Sequence, residues 1–441
     1  MLSLMEIEIA YNNALDYLYS FVDYSLKKSS ELAKADFNLD RMRALMATLG
    51  NPEQQYPIIH VAGTKGKGST SALTASALRA AGYKTGLYTS PHLQDYAERI
   101  QIDGVPVSHE GLINLVEQIK PAVRCIPKLT TFEITTAIGF LYFAQQKVDA
   151  AVIEVGLGGR LDATNVVVPR VAVVTSLSYD HMAVLGSTLT LIAGEKAGII
   201  KPGIPVISAP QADEARAVLE KVSAERNAPL SMVGREVRVE TGEHTLDGQS
   251  LILFTPGPIR LYIPLLGEHQ AVNAATAYMA LSVSGLKISE EAIRTGFAEV
   301  SWPCRFEIVQ REPTLILDSA HNPDSFEKLG RTLEDYFPGR AIILIFGSSE
   351  DKDIAGMLSI LQNKISIVLA TRAEHPRATG PEKILKLARR LGVRAESIVP
   401  VEAALHQALE LAVDRNEIIV SAGSMFVTAE VKTAWQKMKK G

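Results

Sequence analysis

Residues 60–70, HVAGTKGKGST, bring together residue types that could bind a phosphate group. Glycines allow backbone N–H groups to approach phosphate oxygens, a lysine places positive charge beside them, and a hydroxyl at a helix start can reach Mg2+. The spacing departs from the usual phosphate-binding loop, in which lysine directly follows the second glycine, because Ser69 follows Gly68 here. Lys65 and Lys67 lie inside the loop instead, and either could contact the phosphate.

The surroundings of this loop favour an anion site. The β-rich stretch YPIIHVAG precedes the loop and the Ala- and Leu-rich stretch SALTASALRAAG follows it, which predicts a strand, a loop and a helix in that order. In this arrangement the N–H groups of the helix N-terminus face the anion. One alternative is a glycine-rich turn without a ligand. A dinucleotide-binding loop is excluded, because no third glycine follows Gly66 and Gly68 at the required spacing.

Strands and helices alternate along the chain, which predicts an α/β protein. After two helical stretches, ALDYLYSFVDYSL and LDRMRALMATLG, continuously apolar runs such as DAAVIEVG and RVAVVTS predict a parallel sheet covered on both faces. Period-2 runs in residues 229–265 predict a small antiparallel addition. The alternation restarts with the strands TLILDSA, AIILIFG, ISIVLAT and EIIVSAG. We therefore predict one domain over residues 1–300 and a second α/β domain over residues 301–441.

The overall composition argues against several classes of function. The 441 residues suggest two or three domains, and the net charge of -4 gives no reason to expect a nucleic acid partner. The two cysteines are too few for a disulfide framework or a cysteine metal site. Acidic residues near the N-terminus argue against a secretory signal, and the apolar runs are too short to span a membrane. We expect a cytoplasmic protein with no membrane partner.

The loop and eight other stretches resemble a known family. GTKGKGS resembles the nucleotide loop of the Mur ligase superfamily, and by that resemblance Lys67 is the phosphate lysine while Lys65 takes a position often held by Asn. Within the superfamily the chain resembles the folylpolyglutamate synthase and dihydrofolate synthase branch. Eight motifs run in order over nearly the whole chain: TSPHLQDYAERI, TTFEITTAIGF, EVGLGGRLDATN, YDHMAVLGSTLTLIAGEKAGIIKPG, GEHQAVNAATA, WPCRFE, LDSAHNPDS and SMFVTAE.

The resemblance implies a Mur-ligase-like α/β fold, with an N-terminal P-loop ATPase domain and a C-terminal Rossmann-like domain. It also implies an ATP site made of Gly63, Thr64, Lys65, Gly66, Lys67, Gly68, Ser69, Asn273, Arg305, Asp318 and His321. The sequence departs from the family pattern twice, because Cys304 and Ser319 stand where glycine is common. Cys304 lies beside Arg305 and could be somewhat acidic.

A magnesium site, with two ions, is implied as well. Its ligands would be Ser69, Ser90, Glu154, His181 and Lys196, the last as a carbamate. A lysine ammonium has only donors and cannot bind a cation, whereas its carbamate carries two acceptor oxygens. Without the resemblance, Glu154 would be a solvated strand-end residue and His181 a hydrogen-bonded surface or core residue. Lys196 would then be an ion-pair partner of Glu195 or another acid.

The resemblance places a pteridine pocket along a third group of residues. These are Thr130, Thr131, Phe132, Glu133 and Leu161. Phe132 could stack on a planar heterocycle, although without the resemblance it would simply belong to the core. The pocket would hold the acceptor substrate.

The implied reaction is ATP-dependent ligation of L-glutamate to a folate, and to dihydropteroate as well, through an acyl phosphate. Its catalytic residues would be Lys67, Lys196, Glu154, His181 and Arg305. Three alternatives stay open: a folylpolyglutamate synthase without dihydropteroate use, a ligase of the superfamily with a non-folate substrate, and a nucleotide-binding module without catalysis. We expect a monomer whose partners are small-molecule substrates.

Overall fold

A computed structural model describes residues 3–23, 37–415 and 417–440. The chain forms two compact units. The first comprises Met1–Glu240, Leu251–Tyr262 and Ala271–Val300, and the second comprises Thr241–Ser250, Ile263–Gln270 and Ser301–Gly441. Two short stretches that precede residue 301 therefore belong to the second unit. Each unit is described by itself below.

The first unit is built around an eight-stranded sheet with the order β4-β3-β2-β5-β1-β6-β7-β8. Its strands are β1 Ile58–Ala62, β2 Thr85–Tyr88, β3 Ile100–Ile102, β4 Val105–Pro106, β5 Ala150–Glu154, β6 Val171–Val174, β7 Val206–Ser208 and β8 Leu230–Met232. The strands β2, β5, β1, β6, β7 and β8 run parallel, and β3 and β4 add an antiparallel edge. The residues of β1, β5 and β6 are all buried, as expected for central parallel strands with continuous apolar runs.

Helices cover both faces of this sheet. In chain order, the helices before residue 301 are Leu4–Tyr19, Leu39–Thr48, Lys67–Ala80, His109–Arg124, Thr131–Gln145, Met182–Leu185, Leu189–Ala197, Asp213–Glu225, Glu268–Val283 and Glu290–Ala298. The helix predicted from ALDYLYSFVDYSL ends earlier, at Tyr19, and residues 24–26 of that prediction lie outside the described residues.

The register of the central strands decides where the loops begin. Val61 of β1 lies opposite Glu154 at the end of β5 and opposite Val173 of β6. The carboxyl ends of these three strands are therefore level, and the chain leaves each of them at the same edge of the sheet. Ligands of open α/β sheets bind at this edge.

The prediction for residues 229–265 was wrong at its start. Leu230–Met232 pairs in parallel with Val206–Ser208 and extends the large sheet, because the chain continues its βα alternation up to this strand. The following strands, β9 Arg238–Thr245, β10 Gly248–Phe254 and β11 Pro258–Ile263, form a separate three-stranded sheet. The edge strands at 100–102 and 105–106 were not predicted, since three and two residues are too few to show a strand period.

The second unit contains a six-stranded sheet with the order β12-β13-β17-β14-β15-β16. Its strands are β12 Glu307–Arg311, β13 Thr314–Leu317, β14 Ile342–Phe346, β15 Ile365–Ala370, β16 Ala395–Ser397 and β17 Ile418–Ala422. Its helices are Pro323–Tyr336, Ile354–Leu361, Pro381–Arg390, Val401–Arg415 and Met425–Lys440. All pairings are parallel except that of β12 with β13. The predicted α/β class is confirmed, and the two edge strands β12 and β16 are additions to the four predicted strands.

Across the ranges that the structure describes, every helix is too short or too polar to cross a bilayer.

The start of the helix Thr131–Gln145 shows how local sequence fixes an element near the expected pocket. The Thr130 hydroxyl accepts a hydrogen bond from the Glu133 backbone N–H at 3.2 Å, and the Glu133 carboxylate accepts one from the Thr130 N–H at 2.7 Å. This reciprocal capping box satisfies two N–H groups at the helix start. Arg41 Nε donates to the same carboxylate at 3.1 Å and ties the helix Leu39–Thr48 to it.

Replacing this cap should lower stability. We expect Thr130→Ala to destabilise the protein by about 1 kcal/mol, because the first turn loses its hydroxyl acceptor at a buried helix end. Thr130→Ser keeps the hydroxyl and serves as the matched control. Thermal unfolding followed by far-UV circular dichroism compares the three proteins. Equal midpoints for Thr130→Ala and wild type would contradict the capping role.

Candidate active site

The loop after β1 depends on its glycines for close packing. Gly63 has a φ of +149°, and a Cβ built on it would lie 1.9 Å from the Thr175 hydroxyl. Gly66 has a φ of +89°, and a Cβ there would lie 2.2 Å from Oδ1 of Asn273. A side chain at either position would force the loop away from its neighbours. The predicted ATP residue Asn273 therefore does contact the predicted phosphate loop.

Backbone contacts fix the loop against the segment that follows β6. The N–H groups of Thr64 and Lys65 both donate to the Ser176 carbonyl at 3.0 Å. The Thr64 hydroxyl donates to the Ser178 carbonyl at 3.2 Å. The helix Lys67–Ala80 then starts without a side-chain cap. Its first N–H groups point out of the helix start, as they do where helix N-termini bind phosphate.

The two lysines of the loop have different partners. Lys65 Nζ forms an ion pair with Oδ2 of Asp180 at 3.0 Å, in the segment that follows β6. Lys67 Nζ lies 3.9 Å from Oε1 of Glu154, at the end of β5. Lys65 is thus held by a close carboxylate, whereas Lys67 makes a longer contact beside the strand-end acid. Asp180 was not among the predicted site residues, although its position directly before His181 in YDH could have suggested it.

The predicted metal ligands of the first unit lie around the same edge. Glu154 is buried, and its Oε2 accepts a hydrogen bond from the Ser90 backbone N–H at 3.3 Å. Ser69 is buried in the first turn of the helix that begins at Lys67. The His181 side chain is 38% exposed, and its Nε2 lies 3.9 Å from Oδ1 of Asp180. These contacts connect Ser90 with Glu154 and His181 with Asp180.

Lys196 is a buried lysine whose pKa is lowered. Its burial at the end of the helix Leu189–Ala197, together with the nearby Lys67, lowers the pKa of Lys196 to about 7, although Asp162 and Asp180 oppose this shift. The Glu195 carboxylate instead pairs with the Arg160 guanidinium at 2.8 Å. If Lys196 had only a structural role, an ion pair between Lys196 and Glu195 would be expected. Arg160 makes the pair with Glu195 instead.

The donor types at this edge suit a hard cation. No group of three or more His, Cys, Asp or Glu side chains that could hold a metal ion is found among the described residues. The expected set differs from such a group, because it combines one carboxylate, two serine hydroxyls, one imidazole and a lysine. Serine and carboxylate oxygens are ligands that Mg2+ accepts together with water and phosphate oxygens. The residues present therefore fit Mg2+ better than a softer metal.

Most polar groups of the expected pteridine segment have partners inside the protein. Thr130 and Glu133 form the capping box, and the Thr131 hydroxyl donates to the Leu18 carbonyl at 2.9 Å. Phe132 differs, since it is only partly buried and its ring crosses Gly156, where a Cβ would lie 2.4 Å from the ring. Phe132 thus contacts the turn after β5 at Gly156, which is two residues after Glu154. Leu161 is partly exposed in the same turn region.

In the second unit, the Asp318 carboxylate binds two backbone N–H groups. Its Oδ2 accepts from the Phe306 N–H at 2.8 Å and its Oδ1 from the Ala320 N–H at 2.7 Å. Burial raises the pKa of Asp318, although the N–H of Ala320 and the Arg305 charge oppose this. Asp318 and Arg305 are therefore near neighbours. His321 lies three residues after Asp318, and its Nδ1 lies 2.8 Å from the Ser319 carbonyl oxygen.

The expected acidity of Cys304 was wrong. Cys304 is fully buried, and this burial raises the pKa of its thiol to about 12 despite the adjacent Arg305. Its φ of +57° lies in the left-handed region, where glycine is favoured. The thiol therefore occupies a glycine-like backbone position without becoming reactive. The Ser319 hydroxyl, at the other departure from the family pattern, is buried without a hydrogen-bond partner among the described residues.

A further polar group at the carboxyl edge of the second sheet was missed by the sequence analysis. Thr371 follows β15, and its hydroxyl is buried without a partner in the described part of the chain, as are the Thr379 hydroxyl and Arg377 Nε. The Thr379 N–H donates to the Ser348 carbonyl at 2.8 Å, next to the end of β14. Buried polar groups normally have partners, so this edge offers donors to a ligand. No motif in the sequence marks these residues.

Comparison with known proteins agrees with this geometry. Residues 61–281 match the Mur ligase middle domain, and residues 304–425 match the Mur ligase, glutamate ligase domain. A Bacillus subtilis dihydrofolate synthase/folylpolyglutamate synthase is 36% identical over 435 residues, which cover 96% of this chain and 98% of that protein. The chain belongs to the dihydrofolate synthase/folylpolyglutamate synthase family of Mur ligases. The similarity to this relative therefore covers 96% of the chain.

Two solved structures are similar as well. Mycobacterium tuberculosis folylpolyglutamate synthase complexed with ADP has a TM-score of 0.89 and 33% identity, and the match covers 97% of this chain and 98% of that chain. Escherichia coli FolC in complex with DHPP and ADP has a TM-score of 0.85 and 33% identity, with the same coverage of 97% and 98%. The predicted fold family is confirmed by these similarities.

The two loop lysines should differ in importance for catalysis. We expect Lys67→Ala to lower kcat by about two orders of magnitude, because the variant lacks the charge that the predicted phosphate lysine would place beside the transferred phosphoryl group. Lys65→Ala is the matched control, and we expect it to stay within about tenfold of wild type, since Lys65 is already paired with Asp180. Steady-state ADP release measures both variants. Equal losses of kcat in the two variants would show that the assignment of Lys67 as the phosphate lysine is wrong.

Proposed function

We propose that this protein ligates L-glutamate to folates, and to dihydropteroate as well, with conversion of ATP to ADP and phosphate. The observation that carries the proposal is the glycine loop at the sheet edge, where Lys67 lies 3.9 Å from the buried Glu154. A loop of this kind binds the phosphates of a nucleotide, and the adjacent acid suits the accompanying cation. The membership in the ligase family gives the reaction class.

The proposed reaction has two steps. A carboxylate oxygen of the folate or dihydropteroate attacks the γ-phosphorus of ATP, the bond to the β-phosphate oxygen breaks, and ADP leaves. The amine of L-glutamate then attacks the carbon of the acyl phosphate, loses a proton and expels phosphate. Both steps depend mainly on alignment and neutralisation of charge. Lys67 and Arg305 would supply positive charge to the phosphoryl oxygens.

The proposed ATP contacts are those that the family resemblance implies. The proposed ATP-binding residues are Gly63, Thr64, Lys65, Gly66, Lys67, Gly68, Ser69, Asn273, Arg305, Asp318 and His321. Both carboxylate oxygens of Asp318 accept hydrogen bonds from backbone N–H groups, so Asp318 would shape the turn around Arg305. The remaining lone pairs of the carboxylate could still accept a hydrogen bond from ATP.

Magnesium would be held by Ser69, Ser90, Glu154, His181 and Lys196. When bound, Mg2+ neutralises charge on the phosphates of ATP. Lys196 would take part as a carbamate, formed when its neutral amine attacks CO2 and releases a proton. Its pKa of about 7 supports this, because a large share of the amine is then neutral in a neutral solution. The carbamate would convert a repulsive cation beside Lys67 into an anion.

We assign the amino acid substrate to the carboxyl edge of the second sheet. The hydroxyls of Thr371 and Thr379 and Nε of Arg377 are buried donors without partners among the described residues. A carboxylate of L-glutamate would accept hydrogen bonds from such donors and compensate their burial. This stretch lies inside the residues that match the glutamate ligase domain.

The acceptor pocket is assigned to the residues around Phe132. Phe132 is the member of the segment whose side chain is free to meet a planar ring, while Thr130, Thr131 and Glu133 would support it from behind. Leu161 would form another wall. A cytoplasmic location, a monomeric state and small-molecule partners complete the proposal, and they rest on the sequence alone.

Substrate use decides between the two activities. We expect purified protein to release ADP with L-glutamate and tetrahydrofolate, and separately with L-glutamate and dihydropteroate, since the family includes proteins named for both activities. A coupled ADP assay with mass detection of the product measures each reaction, and omission of glutamate is the control. Product from tetrahydrofolate alone would leave a folylpolyglutamate synthase. No product from either would favour a superfamily ligase with another substrate.

The Lys196 carbamate can be tested without turnover. We expect protein equilibrated with 13C-bicarbonate to show a carbamate carbon resonance by NMR, and the signal should fall as the pH drops below about 7, because the amine is then protonated. Lys196→Ala should lack the signal and most activity, and a short-chain carboxylic acid should restore part of the rate. Arg160→Ala, which breaks the neighbouring pair with Glu195, is the control for nonspecific changes in the helix. A silent wild-type spectrum would remove Lys196 from the proposed ligands.

A further inference from the structure

The loop of residues 90–99 is held together mainly by its own atoms. The Glu98 carboxylate accepts hydrogen bonds from the backbone N–H groups of Leu93 at 2.7 Å and Asp95 at 3.0 Å. The Asp95 carboxylate in turn accepts from the Ala97 N–H at 2.9 Å and completes a capping box with Glu98. The loop therefore forms a compact body, which is joined to the rest of the first unit by the buried side chains of Tyr96 and Ala97 and by polar contacts at its surface.

One of those contacts is a cluster of four side chains that joins three elements. Asp95 accepts hydrogen bonds from the Tyr11 hydroxyl at 2.5 Å and from Nε2 of His109 at 2.7 Å. Tyr11 belongs to the helix Leu4–Tyr19, and His109 is the first residue of the helix His109–Arg124. The Tyr11 ring stacks on the His109 ring with centroids 3.7 Å apart and an angle of 7° between the planes. Together with Glu8, these residues are called the Asp95 anchor.

His109 lies between two carboxylates in the Asp95 anchor. Its Nδ1 lies 2.8 Å from Oε1 of Glu8, on the side opposite Asp95. Both ring nitrogens carry a hydrogen only in the protonated imidazole, so both contacts are favourable only in that state. Although burial opposes the charge, the hydrogen bonds to Asp95 and Glu8 raise the pKa of His109 above its ordinary value.

Deprotonation of His109 would weaken the anchor. A neutral imidazole has one N–H, so one nitrogen would present a lone pair to a carboxylate. Because the pKa of His109 is raised in the folded protein, the anchor is complete below the ordinary histidine range and is lost as the pH rises through the raised value. Within the described residues, the titratable groups that face His109 are Glu8 and Tyr11 from the N-terminal helix and Asp95 from the loop. Glu110 is its neighbour on its own helix.

The other end of the loop reaches the candidate active site. Its first residue, Ser90, donates its N–H to Glu154 at 3.3 Å. The hydroxyl of Tyr96 is hydrogen-bonded to the hydroxyl of Thr135, one turn into the helix that carries Phe132. A shift of the loop would therefore move groups beside both the strand-end acid and the expected acceptor pocket.

We propose that Tyr11, Asp95 and His109 are positioning residues that set the loop 90–99 against Glu154 and Phe132, and that loss of the His109 proton loosens this loop. The catalytic part of the proposal rests on the proposed function, which assigns Ser90 and Phe132 to the active site. The positioning part stands on the contacts of the anchor.

Hydrogen exchange of the free protein tests the positioning without any substrate. The amides of residues 92–98 are followed by mass spectrometry at about pH 6 and about pH 8, on either side of the ordinary histidine range, with correction for the intrinsic pH dependence of exchange. We expect the wild-type loop to lose protection at the higher pH. His109→Gln should be less protected at both values and should lack the pH step, and Tyr11→Phe should lose protection while it keeps the stacked ring.

The matched control lies on the same helix as His109. Glu117→Gln removes a carboxylate that pairs with Lys120 on the exposed side of that helix, away from the anchor. It should exchange like wild type. Circular dichroism and thermal unfolding establish that each variant is folded, and if His109→Gln fails to fold, Tyr11→Phe alone decides the comparison with wild type.

Kinetics then tests the link to the active site. We expect Tyr11→Phe to raise KM for the pteroyl substrate by about fivefold, as for loss of one net hydrogen bond, while kcat stays within about twofold of wild type. We also expect the wild-type KM to rise between about pH 6 and about pH 8, and His109→Gln should lack the part of this rise that is due to the imidazole.

Two outcomes would overturn the proposal. Wild-type exchange of the loop in both Tyr11→Phe and His109→Gln would show that the anchor does not hold it. Altered exchange with unchanged KM would remove the positioning role in substrate binding. Failure of the proposed function would appear differently, as absence of glutamate ligation by the wild-type protein, and the exchange result would still be interpretable.

Discussion

The packing of charge at the carboxyl edge of the large sheet is the constraint on which the rest of the first unit depends. Glu154 is buried at the end of β5, and Lys67 lies 3.9 Å from it. Charged groups leave water at a high cost unless they meet a partner, so the strands must deliver acid and base to the same place. The register of β1 with β5 does this, because Val61 pairs with Glu154 and the phosphate loop starts two residues later. Lys196 is buried nearby, and this burial, together with the charge of Lys67, lowers its pKa.

The sequence predicted the elements that have strong local patterns. The central strands are continuously apolar, and the glycine loop between strand and helix can be read from its composition. The strands at 100–102, 230–232, 307–311 and 395–397 were missed or misassigned, since short edge strands lack a distinctive period and are defined by their neighbours. The family resemblance supplied the list of site residues. Their roles remain predictions, although the structure does bring Asn273 to the loop and Lys67 to Glu154.

What the sequence could not provide were contacts between distant segments and the effects of burial. Lys65 and Lys67 look alike in the chain, and their difference depends on Asp180, which lies 115 positions from Lys65. Cys304 appeared acidic because of the adjacent Arg305, but full burial dominates and raises the pKa of its thiol. A neighbour in sequence is visible from the letters alone, whereas desolvation requires the fold. The buried hydroxyls of Thr371 and Thr379 were missed for the same reason.

The polar residues beside the candidate site divide into those that build it and those that remain available to a ligand. Thr130 and Glu133 form their hydrogen bonds at the helix start, and both carboxylate oxygens of Asp318 accept from backbone N–H groups. Such residues fix geometry, so their replacement would act through the position of Phe132 or Arg305. Lys67 and Lys196 differ, because among the described residues no carboxylate pairs with either of them as closely as Asp180 pairs with Lys65. Protein carboxylates only loosely neutralise the positive charges of this site, so an anionic ligand can neutralise them further. A nucleoside triphosphate with its cation would meet this electrostatic condition.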